Sequence, residues 1–303
     1  MSIDLQQVIN SRVAVALVSF LGKVIPPRIG YPICDFIINW VSTRRDSNVI
    51  QAIRVNQWVV RGANLEKKTL EKVVWETLRN NVRNLYDLYH YIQRPEDTHR
   101  MIRLDPLARE MIERPEFSDH GLVTVGLHLS NFDLILQSIC QQGFKPMVLT
   151  LPDPQGGRLV EYEMRRRTGM NLVPASVSAL RQAVKHLKRG GVVLTGMDRP
   201  VPNPKYCPRF FGCAAPLPIH SIYLALKACV PVVIIAALQQ EDGMHHIMAS
   251  EPIEMEHDAK NETEILRNAE KVLGRAEDFI RLAPQQWNMP LPVWPEMLGK
   301  VSV

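Results

Sequence analysis

Cysteine is sparse and scattered in this sequence. The five residues Cys34, Cys140, Cys207, Cys213 and Cys229 form no CxxC pair. The gap between Cys207 and Cys213 also exceeds the two to four residues of a zinc-knuckle pair. Neither a disulfide framework nor a structural zinc site fits, and a reducing compartment is the expected home. Long apolar runs are missing too. Val13 to Leu21 stops at Gly22-Lys23, resumes at Val24-Ile25 and breaks at Pro26-Pro27, short of the roughly 18 to 20 apolar residues of a spanning helix. Met1 to Asn10 carries Asp4 and no basic segment ahead of the apolar run, so no cleaved signal peptide is expected.

Glycine signatures are likewise absent. No GxGxxG or GxxxxGK[ST] follows the first core strand, Gly156-Gly157 is too short to cradle a phosphate by itself, and no GxSxG elbow occurs. The net charge is modest, +5 from 36 Lys and Arg against 31 Asp and Glu. It suits an anionic partner but falls short of a chain built to coat nucleic acid, which is not expected as a partner. What is present is a chain of 303 residues, 46% hydrophobic and 22% charged, able to bury a large core.

The basic excess is concentrated near the start. Arg12 to Arg61 holds Arg12, Lys23, Arg28, Arg44, Arg45, Arg54 and Arg61 against Asp35 and Asp46. Between these charges lie the apolar stretches Val13 to Phe20 and Tyr31 to Val41, read as two short helices with aromatic residues near their ends. Such helices can lie in a membrane interface, with Arg and Lys meeting headgroups and Trp or Phe at the acyl boundary. The expected organisation is a membrane-associating segment at 1–46 and an α/β domain at 47–303 with a helical extension at 47–115. Within that extension, Leu70, Val73, Val74, Leu78, Val82, Leu85 and Tyr89 recur at helical spacing and predict one long amphipathic helix.

From Gly121 the pattern changes to short β-rich runs separated by helices. Strands are predicted at Leu122 to Gly126, Pro146 to Leu151, Asn171 to Val173, Val192 to Thr195, Val232 to Leu238 and His246 to Ala249. Helices are predicted at Asn131 to Gln142, Leu159 to Thr168, Ser176 to Lys188, Ser221 to Ala228 and Glu262 to Leu282. Apolar runs without strict alternation suit a mainly parallel or mixed central sheet covered by helices on both faces. Ligands in such sheets bind at the carboxyl ends of strands. His128 stands at that position in Gly126-Leu127-His128-Leu129-Ser130-Asn131-Phe132-Asp133. Ser130 or Asn131 can cap the following helix, and Asp133 inside it is expected to turn back onto the imidazole.

At these residues the sequence resembles the lysophospholipid acyltransferase superfamily, whose first block is His-x4-Asp. The nearer resemblance is to lipid A late acyltransferases and phosphatidylinositol mannoside acyltransferases. It extends in order over roughly Arg12 to Trp294. The blocks are Arg54-Val55-Asn56, the His128 block, Leu187-Lys188-Arg189-Gly190-Gly191, Val192 to Asp198, Arg209-Phe210-Phe211-Gly212, Pro216-Leu217-Pro218, Ala225 to Val233 and Pro284-Gln285-Gln286-Trp287. The resemblance implies a glycerolipid acyltransferase-like fold and transfer of a fatty acyl group from acyl-CoA or an acyl-carrier protein to a hydroxyl of a membrane phospholipid or glycolipid. His128 is then the general base and Asp133 its acidic partner. No metal and no cofactor is needed beyond the acyl donor, and His245-His246 lacks metal-ligand spacing.

The same resemblance implies that Asp198 borders the active site, positioning either His128 or the acceptor, with Arg199 toward an anionic headgroup. Asn131, Arg158, Arg165 and Arg209 are further substrate-binding candidates, since arginine forks suit phosphate oxygens. Phe211 and Gly212 are candidates for contact with an acyl chain. His220 stands where relatives commonly have Gly. The carboxyl end lacks the Trp-x-His-Arg-x-Trp pattern of lipid A enzymes, and Asp133 replaces the Glu of that branch; both weigh against a lipid A acceptor. The expected location is the cytoplasmic face of the inner membrane, peripheral or shallowly inserted. A lipid esterase and an inactive lipid-binding or membrane-assembly protein on the same fold remain open readings.

Overall fold

The computed structural model describes residues 19–44, 47–113, 121–150, 152, 157–256 and 262–301. The predicted helix at Val13 to Phe20 falls almost wholly outside them. After a helical stretch at 19–24, three helices form a layer: α1 (Pro27–Ser42), α2 (Asn48–Val60) and α3 (Lys67–Tyr91). The chain continues through α4 (Pro95–Arg100), β1 (Ile102–Leu104), α5 (Pro106–Glu113), β2 (Leu122–Gly126), α6 (Phe132–Gln141), β3 (Met147–Thr150), α7 (Gly157–Arg167), β4 (Asn171–Pro174), α8 (Val177–Leu187) and β5 (Val192–Gly196). A short hairpin, β6 (Arg209–Phe210) and β7 (Cys213–Ala214), precedes α9 (His220–Ala228), β8 (Val232–Gln239), β9 (His245–Ala249) and α10 (Glu262–Leu282).

The seven-stranded sheet has the order β1-β9-β8-β2-β5-β3-β4. Strands β8, β2, β5, β3 and β4 run parallel, whereas β9 is antiparallel to β8 and carries β1 parallel to itself on the edge. The sheet is therefore mixed, as its apolar runs imply. The central strand β2 is buried on both faces up to Gly126, which explains why Leu122, Val123 and Val125 show no polar alternation. Elements not foreseen include β1, with only three residues, and the β6–β7 hairpin around Phe211 and Gly212.

The helical layer is built on α3. Leu70, Val73, Val74 and Leu78 are buried as the periodicity predicts, but Leu85 is partly exposed. Asn84, Asp87 and His90 are buried instead in the last turns. Two of these residues find partners: Tyr31 donates to Asp87 at 2.9 Å, and His90 Nδ1 meets the Gly22 carbonyl at 2.8 Å, whereas the Asn84 side-chain amide nitrogen makes no hydrogen bond among the described residues. Gly30 lets α1 approach closely, since a Cβ there would fall 2.4 Å from the Tyr86 ring. Helix α1 is apolar on two sides. Gly30, Cys34, Ile38 and Val41 are buried, while Ile29, Ile33, Phe36, Ile37 and Trp40 form an exposed stripe at helical spacing.

Candidate active site

The register of two parallel strands creates the site. Val123 to Gly126 of β2 pair with Val193 to Gly196 of β5, ending at Gly126 opposite Gly196. Two residues beyond that pair, His128 and Asp198 leave the sheet side by side. His128 Nδ1 lies 2.6 Å from Asp198 Oδ1, and the His128 backbone N–H donates to Asp198 Oδ2 at 2.9 Å. Gly196 makes room for the ring, because a Cβ there would come within 3.3 Å of His128 Cε1.

Asp198 is completely buried, and the indole N–H of Trp287 donates to its Oδ2 at 2.9 Å. Burial by itself would raise its pKa. The adjacent His128, the Trp287 indole and the His128 backbone N–H reverse that effect and hold the carboxyl below its ordinary range. An ionised carboxylate only accepts hydrogen bonds, so the His128 nitrogen facing it, Nδ1, is the one that carries a proton and donates. The other ring nitrogen makes no hydrogen bond among the described residues. The His128 side chain is 19% exposed, so Nε2 is open to a reacting group while the opposite edge is held. Phe132 packs against the ring with centroids 4.7 Å apart.

The loop carrying His128 is clamped by the carboxyl-terminal segment. Asn288 donates to the His128 carbonyl at 2.7 Å, Ser130 donates to the Gln286 carbonyl at 2.8 Å, and Leu129 bridges to Trp287. Gln286 exchanges two hydrogen bonds with the backbone of Gln239 at the end of β8. From the helical layer, Asn56 holds the carbonyls of Met289 and Leu291 and accepts from Val293 N–H, while Gln57 donates to the Pro284 carbonyl. Two sequence blocks far from His128 thus converge on its loop. Trp287 as a ligand of Asp198 was missed; only its place in a recurring block hinted at it.

Asp133 does not turn back onto the imidazole as expected. Its oxygens accept a two-pronged contact from Arg165 on α7, at 2.8 and 2.7 Å, and a third bond from Gln137 at 3.1 Å. Asp133 sits in the first turn of α6, so its side chain leads away from the strand end and across to α7. Burial opposes the charge on Arg165, but Asp133 prevails and raises its pKa. Asn131, also buried, donates to the Asn84 carbonyl of α3 at 3.0 Å.

The sequence as a whole matches the family described as bacterial lipid A biosynthesis acyltransferase, over residues 5–295. The chain belongs to that family. No curated protein matches it. Membership makes the chain an acyltransferase.

Other candidate residues of this acyltransferase are less concentrated. Arg199 follows Asp198 and is half-buried. Arg158 lies in the first turn of α7, and its side chain is outside the described part. Arg209 is exposed, its N–H donating to Glu270 on α10. The N–H of Phe211 donates to Glu277, and Arg281 covers its ring. Phe211 and Gly212 therefore belong to a hairpin fastened to α10, and the residue linking that hairpin to the site is Phe210, stacked near Trp287 and Trp294. His220 meets Thr195 of β5 at 2.5 Å and has its pKa lowered by burial. No described helix is long and apolar enough to cross a membrane.

Proposed function

We propose that this acyltransferase moves a long-chain fatty acyl group from the thioester of acyl-CoA or an acyl-carrier protein to a hydroxyl of a membrane phospholipid or glycolipid. The carrying observation is the buried Asp198 carboxylate on His128 Nδ1, opposite a free and partly exposed Nε2. Nε2 takes the proton from the acceptor hydroxyl as its oxygen attacks the thioester carbonyl carbon. The tetrahedral intermediate collapses, the carbon–sulfur bond breaks, and the imidazolium returns its proton to the departing thiolate. Asp198 stabilises the imidazolium in between.

Asp133 serves as a positioning residue through Arg165. With Nε and Nη2 of that guanidinium on Asp133, its remaining N–H groups are oriented toward an anionic part of donor or acceptor. The exposed face of α1 supports attachment to a membrane surface. Phe36 is 75% exposed and Trp40 51%, and the Arg44 guanidinium covers the Trp40 ring at 4.0 Å, a pairing suited to the headgroup boundary.

The test offers labelled long-chain acyl-CoA and acyl-carrier protein with extracted membrane lipids to wild type and His128→Ala. Labelled lipid product and acceptor-dependent thiol release from wild type are expected, with both reduced about a hundredfold or more in the variant. Free fatty acid without labelled lipid would make the protein a hydrolase. Equal rates for the two folded proteins would remove His128 as the base.

A further inference from the structure

A cavity of about 500 Å³ lies where the helical stretch at 19–24 turns into α1, against the end of α3 and α4. One wall is apolar, from Val24, Pro26 and Pro27, and the other carries Arg94, Asp97 and Arg100. Arg94 caps the start of α4 and Asp97 and Arg100 lie within it, at intervals of three in the order positive, negative, positive. Arg94 is held from behind: Nη1 meets His90 Nε2, and Nη2 donates to the Lys23 carbonyl at 3.3 Å. His90 Nδ1 faces the Gly22 carbonyl, so the neutral ring donates there and accepts from Arg94. This leaves Nε of Arg94 and part of Nη2 uncommitted among the described residues. Arg100 makes only loose 4.0 Å contacts with Asp97 and Glu96 and is otherwise exposed.

We infer that this cavity binds the headgroup of a zwitterionic membrane phospholipid of the phosphoethanolamine type. The phosphate lies between Arg94 and Arg100, and the ammonium hydrogen-bonds to Asp97. Charge complementarity selects this occupant: a bare phosphate would gain two cations but face the Asp97 carboxylate, whereas an ammonium one linker away converts that repulsion into a bond. A quaternary choline has no N–H to give Asp97. The apolar side fits the attached chains, since Val24 lines the cavity and, with Phe20 and Leu21, is also exposed on the adjoining apolar surface. The inference rests on the membrane-surface reading proposed above, but the cavity is separate from His128. It assigns a bilayer lipid as a docking ligand rather than a reactant.

The experiment titrates the full-length protein with dihexanoyl-phosphatidylethanolamine below its micelle concentration, with dihexanoyl-phosphatidylcholine, dihexanoyl-phosphatidylglycerol and glycerophosphoethanolamine in parallel. Wild type is expected to bind the ethanolamine lipid about tenfold more tightly than the choline or glycerol lipid, and the chain-free headgroup more weakly. Arg100→Gln is expected to weaken binding about tenfold, and Asp97→Asn to abolish the preference for ethanolamine over glycerol. Both sites are exposed, so melting temperatures check that the fold is kept. Absence of ethanolamine-lipid binding, or binding indifferent to both variants, overturns the inference. Acyl transfer to a detergent-dispersed acceptor is measured alongside; transfer that persists without headgroup binding refutes only the cavity, and its loss in wild type refutes the proposed reaction.

Discussion

His128 and Asp198 stand at equivalent places on neighbouring parallel strands, each two residues past a member of the Gly126–Gly196 pair, and are joined by a 2.6 Å contact. The separation of 70 positions in sequence is erased by register. Replacing each carboxylate in turn tests that relationship. Asp198→Asn is expected to lower turnover about a hundredfold to ten-thousandfold with a small change in KM, because an amide neither selects the reactive tautomer nor stabilises the imidazolium. Asp133→Asn, which weakens the hold on Arg165, is expected to raise KM more than it lowers kcat. Steady-state kinetics on both variants decides, and the reverse ranking would return Asp133 to the role of direct partner.

The sequence makes the position of His128 legible because an apolar strand followed by cap-capable residues is a local pattern. The identity of its partner is not local. Asp133, five residues on, is the candidate that chain proximity favours, yet the first turn of α6 carries it toward Arg165. Asp198 reaches the imidazole only through the pairing of β2 with β5, and neither strand's composition encodes that register. Trp287 was hidden for the same reason: its partner is fixed by a clamp whose other half is Asn56. The principal helices and core strands were readable from periodicity and apolar runs, whereas β1 and the β6–β7 hairpin are too short to generate a period.

Gly196 offers a steric test. A methyl group there would sit 3.3 Å from His128 Cε1, so Gly196→Ala is expected to displace the ring and reduce kcat about tenfold or more while leaving thermal stability near that of wild type. Unchanged turnover would mean that the ring has room to spare.

Asp87 provides a pH signature of the helical layer. Burial raises its pKa to about 7, against the opposing hydrogen bond from Tyr31 and the charge of Arg83. The folded state therefore holds a proton that the unfolded chain releases at lower pH, so this group costs stability increasingly as pH rises from about 4 to 7. Asp87→Asn keeps an acceptor for Tyr31 and removes the titration. Its stability relative to wild type, measured by denaturant unfolding, is expected to be greater at pH 8 than at pH 5. A difference independent of pH would contradict the assignment.

The exposed stripe of α1 predicts a binding phenotype without a folding phenotype. Phe36→Ser combined with Trp40→Ser removes the two large aromatic side chains from the outer face while leaving Cys34, Ile38 and Val41 in place. Sedimentation with phospholipid vesicles is expected to fall about tenfold, with the melting temperature preserved. Full vesicle binding by the double variant would assign membrane contact elsewhere.

The central claim is that the buried carboxylate fixes the proton of His128 on Nδ1 and leaves Nε2 bare. Nitrogen-15 correlation spectra of the imidazole, recorded at a pH where the ring is neutral, test this most directly. The account predicts a protonated Nδ1 with a far-downfield proton that is lost in Asp198→Asn, and an unprotonated Nε2. A proton on Nε2, or a spectrum indifferent to Asp198→Asn, would contradict it.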